Sequence, residues 1–600
     1  MSSRSGKEEG ISRRNFIKGT GAGALALGTG TIILKGLAKA AEKNKEAKPG
    51  VPKKAKPSQK NGPFNMVFIT TDQERYFRRF PKGTDFKGRN RLKSMGTTFE
   101  KHYTCANMCT SSRSVIYTGQ HIPHTGMFDN TNCPWQPDMS TDIPTIGDMM
   151  RRSGYYTAYK GKVHLSRKVE PDGSGKMMDN AMEPYGFSDF NTQGDDYGHE
   201  HGGYKNDNFF AAEAVKWLRG KGAELSKDKK PWFLTINLIN PHDVMYFNTD
   251  LPGVHKQDDG KIAGEILRKP QHKIYDKTYD DPLPDNLFQP ILEKGRPRAH
   301  YEYTRGWNLL LGEIPGKTDN WRRYRDYYFN CLKDADDQLV MVLDELKDQG
   351  MLDNTIIVFT SDHGEMAGNH GLRGKGPFSY EENIHLPLYI VHPEHVGGRK
   401  CQAVTSHLDL TPTFCALTGI DKVRLDEITK GLPGWDLTKL LDEPEKAGPN
   451  ALREGALYCF NMFMTVDSDF MAKTVELLGS GKSEDDLRKS GIKPDLSKRG
   501  AMRTVFDGRY KFTRYFSPMQ HNLPQSLDEL FEYNDVELYD LKNDPDEMHN
   551  LILEVQRNKA LILNMNTKLN KLISHEIGED VGQELPKISG VDWAVTDFGH

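Results

Sequence analysis

Cysteine is scarce in this chain: seven in 600 residues, an odd number, which excludes a disulfide framework as the basis of its stability. Net charge is nearly absent as well. With 81 basic residues against 83 acidic, the formal charge is −2, so bulk electrostatics draws the chain neither to nucleic acid nor to an anionic membrane. A local positive pocket stays compatible with that balance. No apolar run reaches the roughly 20 residues needed to cross a bilayer, and no internal repeat is evident. What the chain does have is 36% hydrophobic content over a length that permits several domains, enough for a sizeable core.

The N-terminus has its own pattern. Ser12-Arg13-Arg14-Asn15-Phe16-Ile17-Lys18 precedes a glycine-rich apolar stretch from Gly19 to Leu34, then Ala38-Lys39-Ala40. Composition alone also fits a basic tail before one membrane helix. The shortness of the stretch and its glycines favour a removable signal, and residues 1–40 resemble a twin-arginine export signal. That implies the twin-arginine machinery as a partner and a periplasmic or extracellular bacterial location, with no stable span in the mature chain. Residues 41–62 are mostly Lys, Ala and Pro and read as a flexible linker.

Asn65 to Thr71 is a short apolar run stopping at Asp72, and Asn354 to Thr360 repeats the type and stops before Asp362. Such runs suit strands buried on both faces of a parallel sheet, where ligands gather beyond the carboxyl ends. Helical patterns intervene at Thr145 to Ser153, Asn208 to Leu218 and Arg323 to Gln349, and Pro387 to Val391 reads as another buried strand. The fold expected is α/β: a large, mostly parallel central sheet flanked by helices over 63–455. A smaller domain over 456–575 is expected to hold an antiparallel sheet and a helix. There, Met502 to Tyr515 reads as a hairpin turning at Gly508, Val536 to Leu541 as a strand, and Glu547 to about Ser574 as the closing helix, followed by a tail over 576–600.

Cys105 to Gly126 concentrates unusual groups: two cysteines, Thr110-Ser111-Ser112, Arg113, His121 and His124. A cysteine beside an arginine suits a nucleophile facing an oxyanion. A helix cap over a buried cysteine explains the segment about as well. Taken together, several segments resemble the sulfatases of the alkaline phosphatase superfamily. These are Asn65–Asp72, Cys109–Arg113 with Thr118-Gly119, Ile143-Pro144-Thr145 with Gly154-Tyr155, Gly161–Leu165, Asn240-Pro241-His242, Thr360–Gly364, Gly374-Lys375-Gly376 with Glu381 and Pro387, and Glu537–Leu541 with Asp544-Pro545 and Asn550-Leu551.

The resemblance implies hydrolysis of an organic sulfate ester, of a sulfated sugar for example. Asp72, Gln73, Asp362 and His363, with Cys109, would ligate one divalent cation, Ca²⁺ first, with Mg²⁺, Mn²⁺ or Zn²⁺ as alternatives. Cys109 would be the nucleophile after conversion to formylglycine by a formylglycine-generating enzyme, activated by the metal and Arg113. Lys162, His242 and Lys375 would neutralise the sulfate, His242 would protonate the leaving group, and His164 would orient the nucleophile or assist product release. Gln73 and His363 stand where many sulfatases have aspartate and asparagine, and Ser111 stands where the modification signature has proline or alanine. An unmodified Cys109 would leave the same pocket open to phosphate diesters or phosphonate monoesters. A non-catalytic exported binding protein is a third reading.

Other residues are expected to be bland. Asp195-Asp196 with His199 and His201 has the composition of a metal site but reads as a polar loop shaping the cleft. Asp334, Asp336 and Asp337 read as a solvated helix face. His121 and His124 have no assigned role. The segment Pro171 to Tyr204, the stretch Met245 to Tyr303 and loops of the C-terminal domain are expected on the leaving-group side, and the long polar stretch from Asp243 to Trp321 is expected to be a family-specific insertion lining that cleft. Replacing Arg13 and Arg14 together by lysine is expected to retain the chain in the cytoplasm, read by cell fractionation. Unchanged export would contradict the signal.

Overall fold

A computed structural model describes residues 63–579 apart from 134, 170–175, 179, 193, 197, 260 and 263–265. The signal, the linker and almost all of the tail lie outside the described residues, as does part of the segment from Pro171. A seven-stranded sheet organises the chain up to residue 401: β1 (Asn65–Asp72), β2 (Thr97–Phe99), β3 (Tyr156–Gly161), β4 (Trp232–Pro241), β5 (Thr355–Ser361), β6 (Tyr389–Val391) and β7 (Arg399–Cys401). Their spatial order is β3-β4-β1-β5-β6-β2-β7. The pairings β3/β4, β4/β1, β1/β5 and β2/β7 are parallel, while β6 runs antiparallel to both its neighbours.

The apolar runs become strands because both sheet faces are covered. Every residue of β1, β4 and β5 is buried. Met66, Phe68, Phe233, Ile356 and Val358 face one layer, and Val67, Ile69, Leu234, Ile236, Ile357 and Phe359 the other. At about 1.5–3 kcal/mol for each such side chain, these faces supply a large part of the favourable term. Helices α1 (Lys87–Met95), α3 (Gly202–Trp217) and the long α4 (Thr318–Asp348) cover the sheet, and α2 (Cys109–Thr118) carries the Cys-Arg segment. Thr145 caps Ile146–Arg152 with a reciprocal capping box through Asp148.

The C-terminal half of the expectation is also present. Strands β8 (Ala456–Phe460), β9 (Ala501–Phe506), β10 (Tyr510–Phe516) and β11 (Asn534–Asp540) form an antiparallel sheet in sequence order, with Gly508 in the β9–β10 turn. The closing helix α5 spans Val555–Glu576 and begins later than expected. The intervening residues do other work: Glu547 is buried in an ion pair with Lys511 (2.8 Å), and the Asn550 side chain accepts from Ile552 N–H to start a short 3-10 turn.

The Asp334–Asp337 run is a second correction. Asp336 is fully buried, accepts the backbone N–H groups of Gly88 and Arg89 (both 2.9 Å) and pairs with the Arg89 guanidinium at 2.8 Å. Asp334 accepts from Tyr275 OH at 2.7 Å, and only Asp337 is exposed. The helical pattern marks a face, but not that α1 and the insertion lie over it. Arg89 also donates from Nε to Glu74 (2.6 Å), tying the end of β1 to both helices. Burial works against the charge on Arg89, and Glu74 and Asp336 more than offset it. Removing one partner of such a pair leaves an uncompensated buried charge, so Asp336→Ala is expected to cost about 3–5 kcal/mol, read from urea unfolding. A loss under about 1 kcal/mol, as for a surface pair, would restore the solvated reading.

Candidate active site

Strand register assembles the site. Thr70 and Thr71 of β1 lie opposite Thr360 and Ser361 of β5, so the next acidic residues, Asp72 and Asp362, emerge side by side at the carboxyl edge. On the other side of β1, Asp72 is level with Pro241, which puts His242 beside it, and Gly161 of β3 is level with Asn237, which puts Lys162 just beyond. Four adjacent parallel strands thus deliver Lys162, His242, Asp72 and Asp362 to one edge.

Helix α2 comes in against that edge with Cys109 as its first residue, where unpaired backbone N–H groups favour negative charge. All its residues are buried, and each polar one is committed. Thr110 donates to His164 O (2.8 Å), Ser111 to Phe128 O (3.0 Å) and Ser112 to Asp362 O (2.5 Å). Arg113 reaches both acids, from Nη2 to Asp72 Oδ2 (3.1 Å) and from Nε to Asp362 Oδ2 (3.0 Å), and donates to Lys162 O at 3.1 Å.

The Cys109 Sγ lies 3.2 Å from His363 Nε2, 2.9 Å from Lys375 Nζ and 3.7 Å from Asp72 Oδ1. Lys162 Nζ sits 2.5 Å from Asp72 Oδ2. Burial opposes ionisation of Asp72, but Lys162, His242, Lys375 and His363 overcome it and hold its carboxyl well below the usual range. Burial and the neighbouring Asp72 push Asp362 up to about 6. A divalent cation between the two acids would reverse that second shift.

The donor set fits such a cation. One ligand atom each from Asp72, Cys109, Asp362 and His363 lie within 4.8 Å of one another. His363 Nδ1 is 3.1 Å from Gly364 O, which makes Nδ1 the protonated nitrogen and leaves the Nε2 lone pair toward the cluster. Gln73 sits against it: its side-chain oxygen accepts from Lys375 Nζ (2.9 Å), and its backbone N–H donates to Asp362 Oδ1 (3.1 Å). Lys375 stands between Gly374 and Gly376, and Tyr303 explains both glycines. A Cβ at Gly374 would meet the Tyr303 hydroxyl at 2.7 Å, and one at Gly376 its ring at 2.5 Å.

Two further histidines line the edge. His242 is buried, its Nδ1 makes no hydrogen bond, and burial with Lys375 nearby holds its pKa well below the usual value. His164, also buried, is displaced in the same direction by burial, Lys162 and Arg113. His121 lies elsewhere, paired with Glu576 of α5 at 2.9 Å, and the exposed His124 follows it in a short helix.

Some contributors are not evident from sequence motifs. Glu365 accepts from the Gln73 side chain (2.5 Å), Tyr324 OH (3.1 Å) and the backbone of Ala367 and Gly374 (2.8 Å each), joining Gln73 to the Lys375 loop. Only its nearness to His363 hinted at a role. His407 lies behind the cluster, 3.0 Å from Ser361 O and 3.3 Å from Ser112 Oγ. Asp195 and Asp196 hold backbone and amide groups, and His201 Nε2 is 2.8 Å from Arg268 O, so the segment is a braced loop.

The sulfatase family model matches residues 65–420, more than half of the sequence. This chain belongs to the sulfatase family. A second model, for the twin-arginine translocation signal, matches residues 10–30, and the sulfatase is therefore addressed out of the cytoplasm. No helix among the described residues is long and apolar enough to cross a membrane. The sulfatase is 26% identical over 411 residues to a choline-sulfatase of Rhizobium meliloti, spanning 65% of this chain and 73% of that protein. It is 24% identical over 516 residues to an N-acetylglucosamine-6-O-sulfatase of Bacteroides thetaiotaomicron, spanning 78% and 84%. Among solved structures, the phosphonate monoester hydrolase of Agrobacterium radiobacter shares the fold, with a TM-score of 0.55 at 19% identity over 86% of this chain and 96% of that one.

A cation bound at 100 times its dissociation constant adds about 2.7 kcal/mol to stability. Adding Ca²⁺ to chelator-stripped protein is expected to raise the melting temperature, and Asp362→Asn with His363→Ala to abolish the rise. An equal rise in that variant would place the metal elsewhere.

Proposed function

We propose that this sulfatase hydrolyses an organic sulfate monoester to an alcohol and inorganic sulfate, with Cys109, converted to formylglycine, as the nucleophilic position. The observation that carries the reading is the seat of Cys109 itself. Its side chain shares one buried pocket with two carboxylates, an imidazole and the cations Arg113, Lys162 and Lys375. Three side-chain cations against two carboxylates, before any metal is counted, suit an anionic ester group.

Asp72, Asp362, His363 and the side-chain oxygen of Gln73 would hold the metal, for which the mainly oxygen donor set favours Ca²⁺. When bound, the cation supplies Lewis-acid polarisation and favours deprotonation of the nucleophile. Arg113 keeps both carboxylates oriented. Lys162 and Lys375 face the sulfate oxygens as charge moves onto them. His242 stands over the leaving-group side. Burial, and after it Lys375 and Lys162, disfavours the protonated form of His242; an anionic ester beside these lysines favours it, and His242 gives the proton to the departing alkoxide. His164, whose backbone carbonyl receives the Thr110 hydroxyl, orients the start of α2.

One observation supports a second reading, phosphate diester or phosphonate monoester hydrolysis. Ser111 departs from the signature read by the modifying machinery, and its hydroxyl is turned away from the cluster onto Phe128 O. With Cys109 as a thiol, the same carboxylates, imidazole and cations surround it. Release of 4-nitrophenol from 4-nitrophenyl sulfate, from bis(4-nitrophenyl) phosphate and from a 4-nitrophenyl phosphonate monoester separates the two. Sulfate is expected to dominate, with Cys109→Ala inactive and Lys375→Ala slower by about 10²–10³-fold in kcat. Dominant phosphate or phosphonate turnover would overturn the sulfate reading.

A further inference from the structure

The Asp195–Tyr204 loop joins the two turns that carry Lys162, His164 and His242. At one end, the Asp195 carboxylate, 2% exposed, accepts the consecutive backbone N–H groups of Val163 (2.8 Å) and His164 (2.5 Å). His164 sits at φ +53, a conformation a non-glycine residue holds only when its surroundings fix it. At the other end, Asp243, next to His242, accepts the consecutive N–H groups of Gly203 (2.9 Å) and Tyr204 (2.8 Å) at the start of α3. Between them, Gly198 at φ +109 lies close against the His242 imidazole, and a Cβ there would come within 2.7 Å of Cε1 and Nδ1.

We infer that this loop is a positioning strap, in which Asp195 sets the Lys162–His164 turn and Gly198 sets the His242 ring, fixing the sulfate-binding cations relative to the leaving-group acid. Both residues are buried, Asp195 against backbone amides and Gly198 against the imidazole. The inference rests on the roles proposed above for Lys162, His164 and His242. The two contacts matter because reacting groups displaced by about 1 Å can lose 10²-fold in rate. The two anchors predict different losses. Asp195 acts through groups that face the sulfate, so its loss affects all esters alike. Gly198 acts through the residue that protonates the leaving group, so its loss depends on how much that leaving group needs a proton.

The test measures kcat and KM of the metal-loaded, full-length protein on 4-nitrophenyl sulfate, whose leaving group departs unprotonated, and on a simple alkyl sulfate, whose leaving group does not. Gly198→Ala is expected to lose at least about 10-fold more kcat on the alkyl than on the aryl ester. Asp195→Ala is expected to lose about 10–100-fold on both, with Asp195→Asn, which keeps the volume and one acceptor, recovering part of it. Circular dichroism and melting temperature establish that each variant is folded. Should Asp195→Ala not fold, Asp195→Asn carries the comparison. Folded variants with wild-type kcat on both esters, or a Gly198→Ala loss equal on the two, would overturn the strap. A wild-type protein silent on both esters would instead remove the sulfatase reading beneath it.

Discussion

Two carboxylates brought level by the β1/β5 register, in a site closed to water, repel each other, and the surroundings of Asp72 and Asp362 answer that repulsion. Two like charges about 4 Å apart cost about 4 kcal/mol at an effective dielectric of 20. Arg113 spans both acids, Lys162 sits on Asp72, and the amides of Gln73 and His363 point at Asp362 Oδ1. What these leave uncompensated is an inward-facing set of oxygen and nitrogen lone pairs, the environment a divalent cation completes. The placement of Cys109 follows, because the helix that supplies Arg113 to the two acids begins with it.

A second device recurs around this centre. Asp195, Asp207, Asp243 and Asp336 are each buried, and each accepts two consecutive backbone N–H groups from another segment. Such a carboxylate satisfies amides that a sharp turn leaves without partners and fixes the turn's orientation. Three of the four act near the carboxyl ends of β3 and β4, where Lys162, His164 and His242 leave the sheet. On the proposed roles of those three residues, stability and function would be coupled there, since the groups that hold the turns also fix where the side chains start.

Much of this was legible in sequence. The apolar runs ending in Asp72 and Asp362 marked parallel strands, and the order of the short motifs singled out Asp72, Cys109, Lys162, His242, Asp362, His363 and Lys375, which lie together at one edge. What escaped was whatever depends on partners distant in sequence. Asp336 reads as a polar helix position because nothing local announces that α1 lies across it. Glu547 reads as the start of a helix because its partner Lys511 belongs to another strand. Glu365 and His407 carry no separate signal, and their roles come from the loops that converge on them. The Asp195 segment read as a polar loop, but which backbone amides its acids hold did not show, because an acid binding backbone amides has the same composition as one facing water.

The central claim is that Cys109 is the modified, reacting position of this cluster. The measurement that tests it most directly is peptide-level mass analysis of the protein from its native host with an aldehyde-reactive probe. The account predicts that the probe labels the peptide carrying Cys109 at that residue, and that the labelled fraction tracks sulfate release. Fully active protein whose Cys109 is an unlabelled thiol would contradict it.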